Sequence, residues 1–155
     1  KTIKATLNRA PLTAKLSKSA NSSGALLATD VDMFSSGAGG LPDFPKDESV
    51  EWAKRSVDFS QDCGATVTAL IPTRTGNGAM DRLAAAGQFS ELALGQLEDA
   101  IDYGVGRARG RVFADLWDLE RFSSCADCFP KRQSRLAKQN DTQQISLRVT
   151  CPSCR

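Results

Sequence analysis

The hydrophobic pattern of this chain sharpens about a third of the way along. From Asp47 onward, Val50, Ala53, Val57 and Ser60 fall on one helical face, which Trp52 and Phe59 widen. Asp47, Glu48 and Glu51 give that helix an acidic first turn, and Gly64 suits its end. Ala65 to Ile71 is short, rich in β-formers and bounded by Gly64 and Pro72, which predicts a strand. A loop from Pro72 to Gly78 leads to a short helix over residues 79–86, ended by Gly87. Ser90 can cap a further helix in which Leu94, Leu97 and Ile101 share a face and Gly104 terminates. Arg111 to Trp117 reads as a second strand, Phe129 to Gln139 as a helix, and Ile145 to Val149 alternates like a strand. Helix, strand, loop, helix, strand is the order of an α/β unit with a parallel sheet. Two strands are too few for such a sheet, so either the N-terminal region adds strands or the segment belongs to a larger barrel or sheet.

Residues 1–45 differ. Thr, Ser, Ala and Lys dominate, Ser35 to Gly40 has the composition of a flexible linker, and Pro42 and Pro45 punctuate the five residues after it. Leu26-Leu27-Ala28 and Val31 to Phe34 are short apolar runs, one of which suits a strand. With no sustained period, this part is expected to be poorly ordered or linker-like in isolation. The expected organisation is thus residues 1–45, an α/β segment over 46–122, and a cysteine-rich appendage over 123–155.

Composition excludes several classes of chemistry. The chain has no histidine, so a Ser-His-Asp triad, a Cys-His pair and every histidine-bearing metal site are ruled out. A net charge of +2 is too small to argue for nucleic acid or an anionic membrane. No apolar run approaches the roughly 18 residues of a membrane span, and no apolar stretch follows the N-terminal lysines as in a signal peptide. The chain opens with Lys1 rather than Met, as a fragment or processed product does.

The five cysteines carry the strongest signal. Cys125 and Cys128 form one C-x-x-C pair, Cys151 and Cys154 another, and 22 residues separate the pairs. Two intervening residues let both thiolates of a tight turn face one centre about 2.3 Å away, so two such turns supply a four-thiolate shell. Lys131, Arg132 and Arg155 nearby favour thiolate over thiol. Without a secretory signal such pairs read as metal ligands before disulfides, in a cytoplasmic setting. The expected metal is a structural zinc, with an iron–sulfur cluster as the alternative; two disulfides or four idle thiols are the competing readings.

Other residues invite weaker readings. Arg74, Gly76, Asn77 and Gly78 follow the first strand, where α/β folds bind ligands, and N–H groups of a glycine-rich turn can converge on an anion. A tight turn with Asn77 or Gly78 capping the next helix is the favoured alternative. Asp115, Asp118 and Glu120 are expected to be solvated or capping rather than acid–base groups, Cys63 to be a small buried residue, and Trp117 and Phe122 to lie in the core.

Three runs, Glu51 to Ser56, Cys63 to Thr66 and Ile71 to Arg74 with Gly76 to Met80, resemble the C-terminal half of a group of bacterial radical SAM proteins of poorly defined function. Arg111 to Asp118 and the terminal cysteine pairs are similar to the same group, over roughly residues 47–155. The resemblance implies the last part of a partial (β/α) barrel followed by a small zinc-ribbon-like appendage. It also implies that Arg74 to Gly78 would touch S-adenosylmethionine. The group's cluster motif, C-x-x-x-C-x-x-C, has no counterpart, because residues 1–62 contain no cysteine. The expectation is therefore a metal-binding remnant, partial chain or half of a split protein, without autonomous activity and with a partner chain completing the barrel. The alternative is a zinc-ribbon interaction module using Lys131, Arg132, Arg135, Lys138, Arg148 and Arg155, against which the weak net charge counts.

Overall fold

A computed structural model describes the backbone of residues 2–7, 10–19, 26–33, 48–89 and 91–154, and the side chains of residues 49–89 and 91–153. The linker-like Ser35 to Gly40, the prolines Pro42 and Pro45, the cap Ser90, the Cys154 side chain and Arg155 lie outside the described residues.

Five strands form one mixed sheet in the order of the chain: β1 (Thr2–Leu7), β2 (Ala10–Ser19), β3 (Leu26–Met33), β4 (Val67–Pro72) and β5 (Arg111–Ala114). The first three pair antiparallel, with Ile3 opposite Ala14 and Leu16 opposite Thr29. The sheet then turns parallel, Val31 lying opposite Leu70 and Thr68 opposite Val112. The α/β class is as expected, and it is the N-terminal region that adds strands. Its antiparallel part has no counterpart in the all-parallel sheet of a (β/α) barrel.

Two crossovers link the parallel strands. Helix α1 (Glu48–Asp62) joins β3 to β4, while α2 (Ala79–Ala85) and α3 (Leu94–Gly106) join β4 to β5. Ala53 and Val57 of α1, Leu70 of β4, Leu97 and Ile101 of α3 and Val112 of β5 are fully enclosed and form the core. Alternation along β4 sends Thr68, Leu70 and Pro72 into it. Buried Thr68 keeps its hydroxyl satisfied against the Ser60 hydroxyl at 3.0 Å.

Helix α3 runs two residues past Gly104. Gly104 is not a stop but a close approach: a Cβ there would stand 2.9 Å from Val112. Strand β5 ends at Ala114, three residues before Trp117, because the Asp115 carboxylate accepts the Trp117 N–H and turns the chain.

Helix α4 (Phe129–Thr142) lies along β5 and closes its outer edge in an unusual way. Asn140 donates its amide to the Ala114 carbonyl and accepts the Ala114 N–H, both at 2.9 Å. Gln143, at the helix end, does the same for Val112 at 2.8 and 2.9 Å. Two side-chain carboxamides thus supply the partners a sixth strand would otherwise offer. Gln143 adopts a left-handed backbone, φ 54°, which favours glycine; the pairing with Val112 offsets that strain.

Residues 143–150 have no regular structure, although Ile145 to Val149 alternates. The carbonyls of Ser146 and Leu147 accept hydrogen bonds from Arg135 instead of from a strand. Among the described residues no helix is long and apolar enough to cross a membrane.

Candidate metal centre and the loop after β4

Cys125 follows a 3-10 turn (Leu119–Phe122), and the Ser123 hydroxyl spans its local turn by donating to the Cys125 carbonyl at 3.1 Å. Three residues later Cys128 is the N-cap of α4 and is buried; Pro130 in the first turn fits a helix start, where no N–H is needed. Cys151 precedes a second 3-10 turn (Pro152–Cys154). These placements bring the sulfurs of Cys125, Cys128 and Cys151 within 4.8 Å of one another, a group able to bind a metal ion. The Cys125 and Cys151 sulfurs are 3.9 Å apart, and none of the three is in a disulfide. Cys128 also stands at the positive end of α4, which favours a thiolate.

The segment carrying these cysteines is fastened to α3 by a ladder of charges. Arg132 forks onto buried Glu98 at 3.0 and 2.7 Å. One turn on, Arg135 grips both oxygens of Asp102 at 2.7 and 2.9 Å. Gln139 and Arg148 also donate to Asp102, and Arg148 reaches Asp99 at 2.6 Å. Burial alone would raise the Asp102 carboxyl; the hydrogen bonds from Gln139, Arg135 and Arg148 overcome it and hold the group below its ordinary value. Glu98 likewise raises the Arg132 guanidinium, to which the Cys128 sulfur adds.

The loop after β4 does converge N–H groups on an anion, and that anion is the chain's own. Asp81 accepts the Gly76 N–H at 2.7 Å and the Gly78 N–H at 2.9 Å, which lowers its carboxyl. Gly76 and Gly78 have φ of 106° and 66°, conformations that side chains rarely adopt. Asn77 accepts the Met80 N–H at 2.9 Å and opens α2. Arg74 pairs with Asp115 at 3.0 Å, donates to the Pro72 and Trp117 carbonyls, and stacks under the Trp117 ring at 4.8 Å. Glu91 accepts from the Thr75 backbone and hydroxyl and from Arg121; burial would raise it, but these donors hold it low.

No family model, curated protein or solved structure matches this chain.

Besides Gly104, two further expectations fail at the residue level. Trp117 is 70% exposed rather than core, since it covers the Arg74 guanidinium from outside, while Phe122 is buried as expected. Cys63 is exposed just beyond the end of α1. Asp118 takes a left-handed conformation before its 3-10 turn and pairs with Arg121, and Asp115 serves Arg74, so these acids act as turn and bridge groups. Asp81, Glu91, Glu98 and Asp102 went unnoticed in the sequence. Only Asp81, three residues after Gly78 and inside the first turn of α2, follows a readable local rule; the others meet partners 16 to 46 residues away.

Proposed function

We propose that this is a non-catalytic protein whose C-terminal third is organised by one structural zinc ion held by Cys125, Cys128, Cys151 and Cys154. The close approach of three sulfurs carries the reading. Four thiolates sharing one ion at about 2.3 Å lie about 3.8 Å apart, and the Cys125 and Cys151 sulfurs stand at 3.9 Å. A disulfide would draw them to about 2.05 Å. A [4Fe–4S] cluster seats each thiolate on its own iron and so spreads the sulfurs further than one shared ion does. Cys154 is taken as the fourth donor on its C-x-x-C spacing from Cys151. An ion closed off by four cysteines has no open position, which suits structure rather than catalysis. When bound it ties residues 151–154 to the start of α4, across a segment that no strand pairing holds.

The likeness to radical SAM proteins enters through what is missing, namely any cysteine in residues 1–62. The Gly76 and Gly78 donors meet Asp81, and Arg74 meets Asp115, which leaves little in that loop to hold S-adenosylmethionine. A nucleic-acid role for the basic tail is disfavoured because Arg132, Arg135 and Arg148 already neutralise Glu98, Asp99 and Asp102.

Elemental analysis with an absorption spectrum, on protein purified without oxygen, tests the reading. About one zinc per chain and no visible charge-transfer band is the expected result, with Cys151→Ser abolishing stoichiometric zinc. Iron with sulfide, or metal-free protein with every thiol open to titration, would overturn it.

A further inference from the structure

We propose that Arg132 is a positioning residue of the zinc centre, fixing the Cys128 thiolate and offsetting the negative charge of the sulfur cluster, and that buried Glu98 aims it. The inference rests on the zinc reading above. Arg132 follows Cys128 by four residues on α4, so the two share a helix face, and the Arg132 N–H bonds to the Cys128 carbonyl at 3.1 Å. Its side chain is 16% exposed, and Nε and Nη2 both engage Glu98, itself 4% exposed. A fork held at two points leaves the plane no freedom to swing away. In that pose the guanidinium stays on the helix face that begins at Cys128, whose sulfur is among the groups that raise it.

A zinc ion with four thiolates carries a net charge of about −2, and partners beyond the ligands orient such groups and tune how firmly they hold the ion. Arg135 supplies an internal comparison. It makes the same kind of clamp between α4 and α3 one turn later, onto Asp102, and bonds otherwise to backbone carbonyls. Helix docking alone accounts for Arg135; Arg132 does that and also stands one turn from a ligand on the same helix face.

The test is the rate at which the full-length zinc protein yields its metal to a chromogenic chelator. Arg132→Gln is expected to speed release about 10- to 100-fold. Glu98→Gln should shift it in the same direction by less, and Arg135→Gln, which loosens the helix docking and residues 146–147 away from the sulfurs, should speed it much less than Arg132→Gln. Should Arg132→Gln fail to fold, Arg132→Lys serves. Its single ammonium keeps a charge opposite Glu98 but cannot fork, so release should still be faster than in Arg135→Gln. Equal acceleration by the Arg132 and Arg135 variants would overturn the inference, as would wild-type release from both Arg132 variants, while leaving the zinc site itself standing. Wild-type protein that carries no zinc would instead defeat the reading on which the inference rests.

Discussion

Gly104 shows how much one missing side chain can decide. Alanine would improve the helix by up to about 1 kcal/mol, yet its Cβ would press to 2.9 Å on Val112, a fully buried β-branched residue with no room to turn. Overpacking of this kind costs about 1–3 kcal/mol, so Gly104→Ala is expected to lower stability by about 1 kcal/mol in urea unfolding. Adding Val112→Ala should cost less than the two single changes summed, because the second removes the clash of the first. The sequence marks Gly104 but suggests the wrong role, since a helix-ending glycine and one that admits a neighbour look alike until the neighbour is known. Trp117 is the opposite case. A large aromatic reads as core, and only the Arg74 guanidinium beneath it explains why it lies outside.

At the scale of elements, the segments with a strong period were legible. Helix α1 and strand β4 begin and end close to where their apolar spacing and flanking glycine or proline predict, α4 starts at Phe129 as expected and runs three residues past Gln139, and α3 is found but starts at Leu94 and runs past Gly104. Strands β1 and β2 also carried a signal, in Ile3-x-Ala5-x-Leu7 and Leu12-x-Ala14-x-Leu16, but Thr and Lys between small apolar residues give it little weight. Nothing local announces that Asn140 and Gln143 serve a strand some 26 to 31 residues upstream. Asn140→Ala leaves the Ala114 N–H and carbonyl without their partners, and is expected to cost about 1–3 kcal/mol. Gln143 allows a finer comparison. Glycine there loses the Val112 pair but relaxes the left-handed backbone, whereas alanine loses the pair and keeps the strain. Gln143→Gly should therefore unfold at higher urea than Gln143→Ala.

For the molecule as a whole, the α3–α4 ladder determines how the fold responds to acid. Asp102 is held below its ordinary carboxyl value in the folded chain. Its contribution is thus complete above the unfolded value of about 3.9 and is lost as pH falls through the lower folded value. Asp102→Asn strands Arg135, which is 4% exposed, so the variant is expected to be less stable by about 3 kcal/mol near neutrality. The gap from wild type should narrow only below about pH 4; a gap that does not change between pH 7 and 3 would show that charge is not its source. The cysteine pairs were the most legible part of the site, because their spacing is local, whereas Glu98 and Asp102 acquire their roles only once α3 and α4 lie side by side.

The carboxamides of Asn140 and Gln143 give this sheet a direction. Pairing that begins at β1 passes from strand to strand until β5, where it meets two side chains and stops. A further strand, whether from a second copy or from another protein, finds no vacant backbone at Val112 or Ala114, so among the described residues the edge it can join is β1. Among the described residues pairing through the sheet is thereby confined to one end, and two copies joined edge to edge at β1 would make a closed pair rather than the start of a fibre.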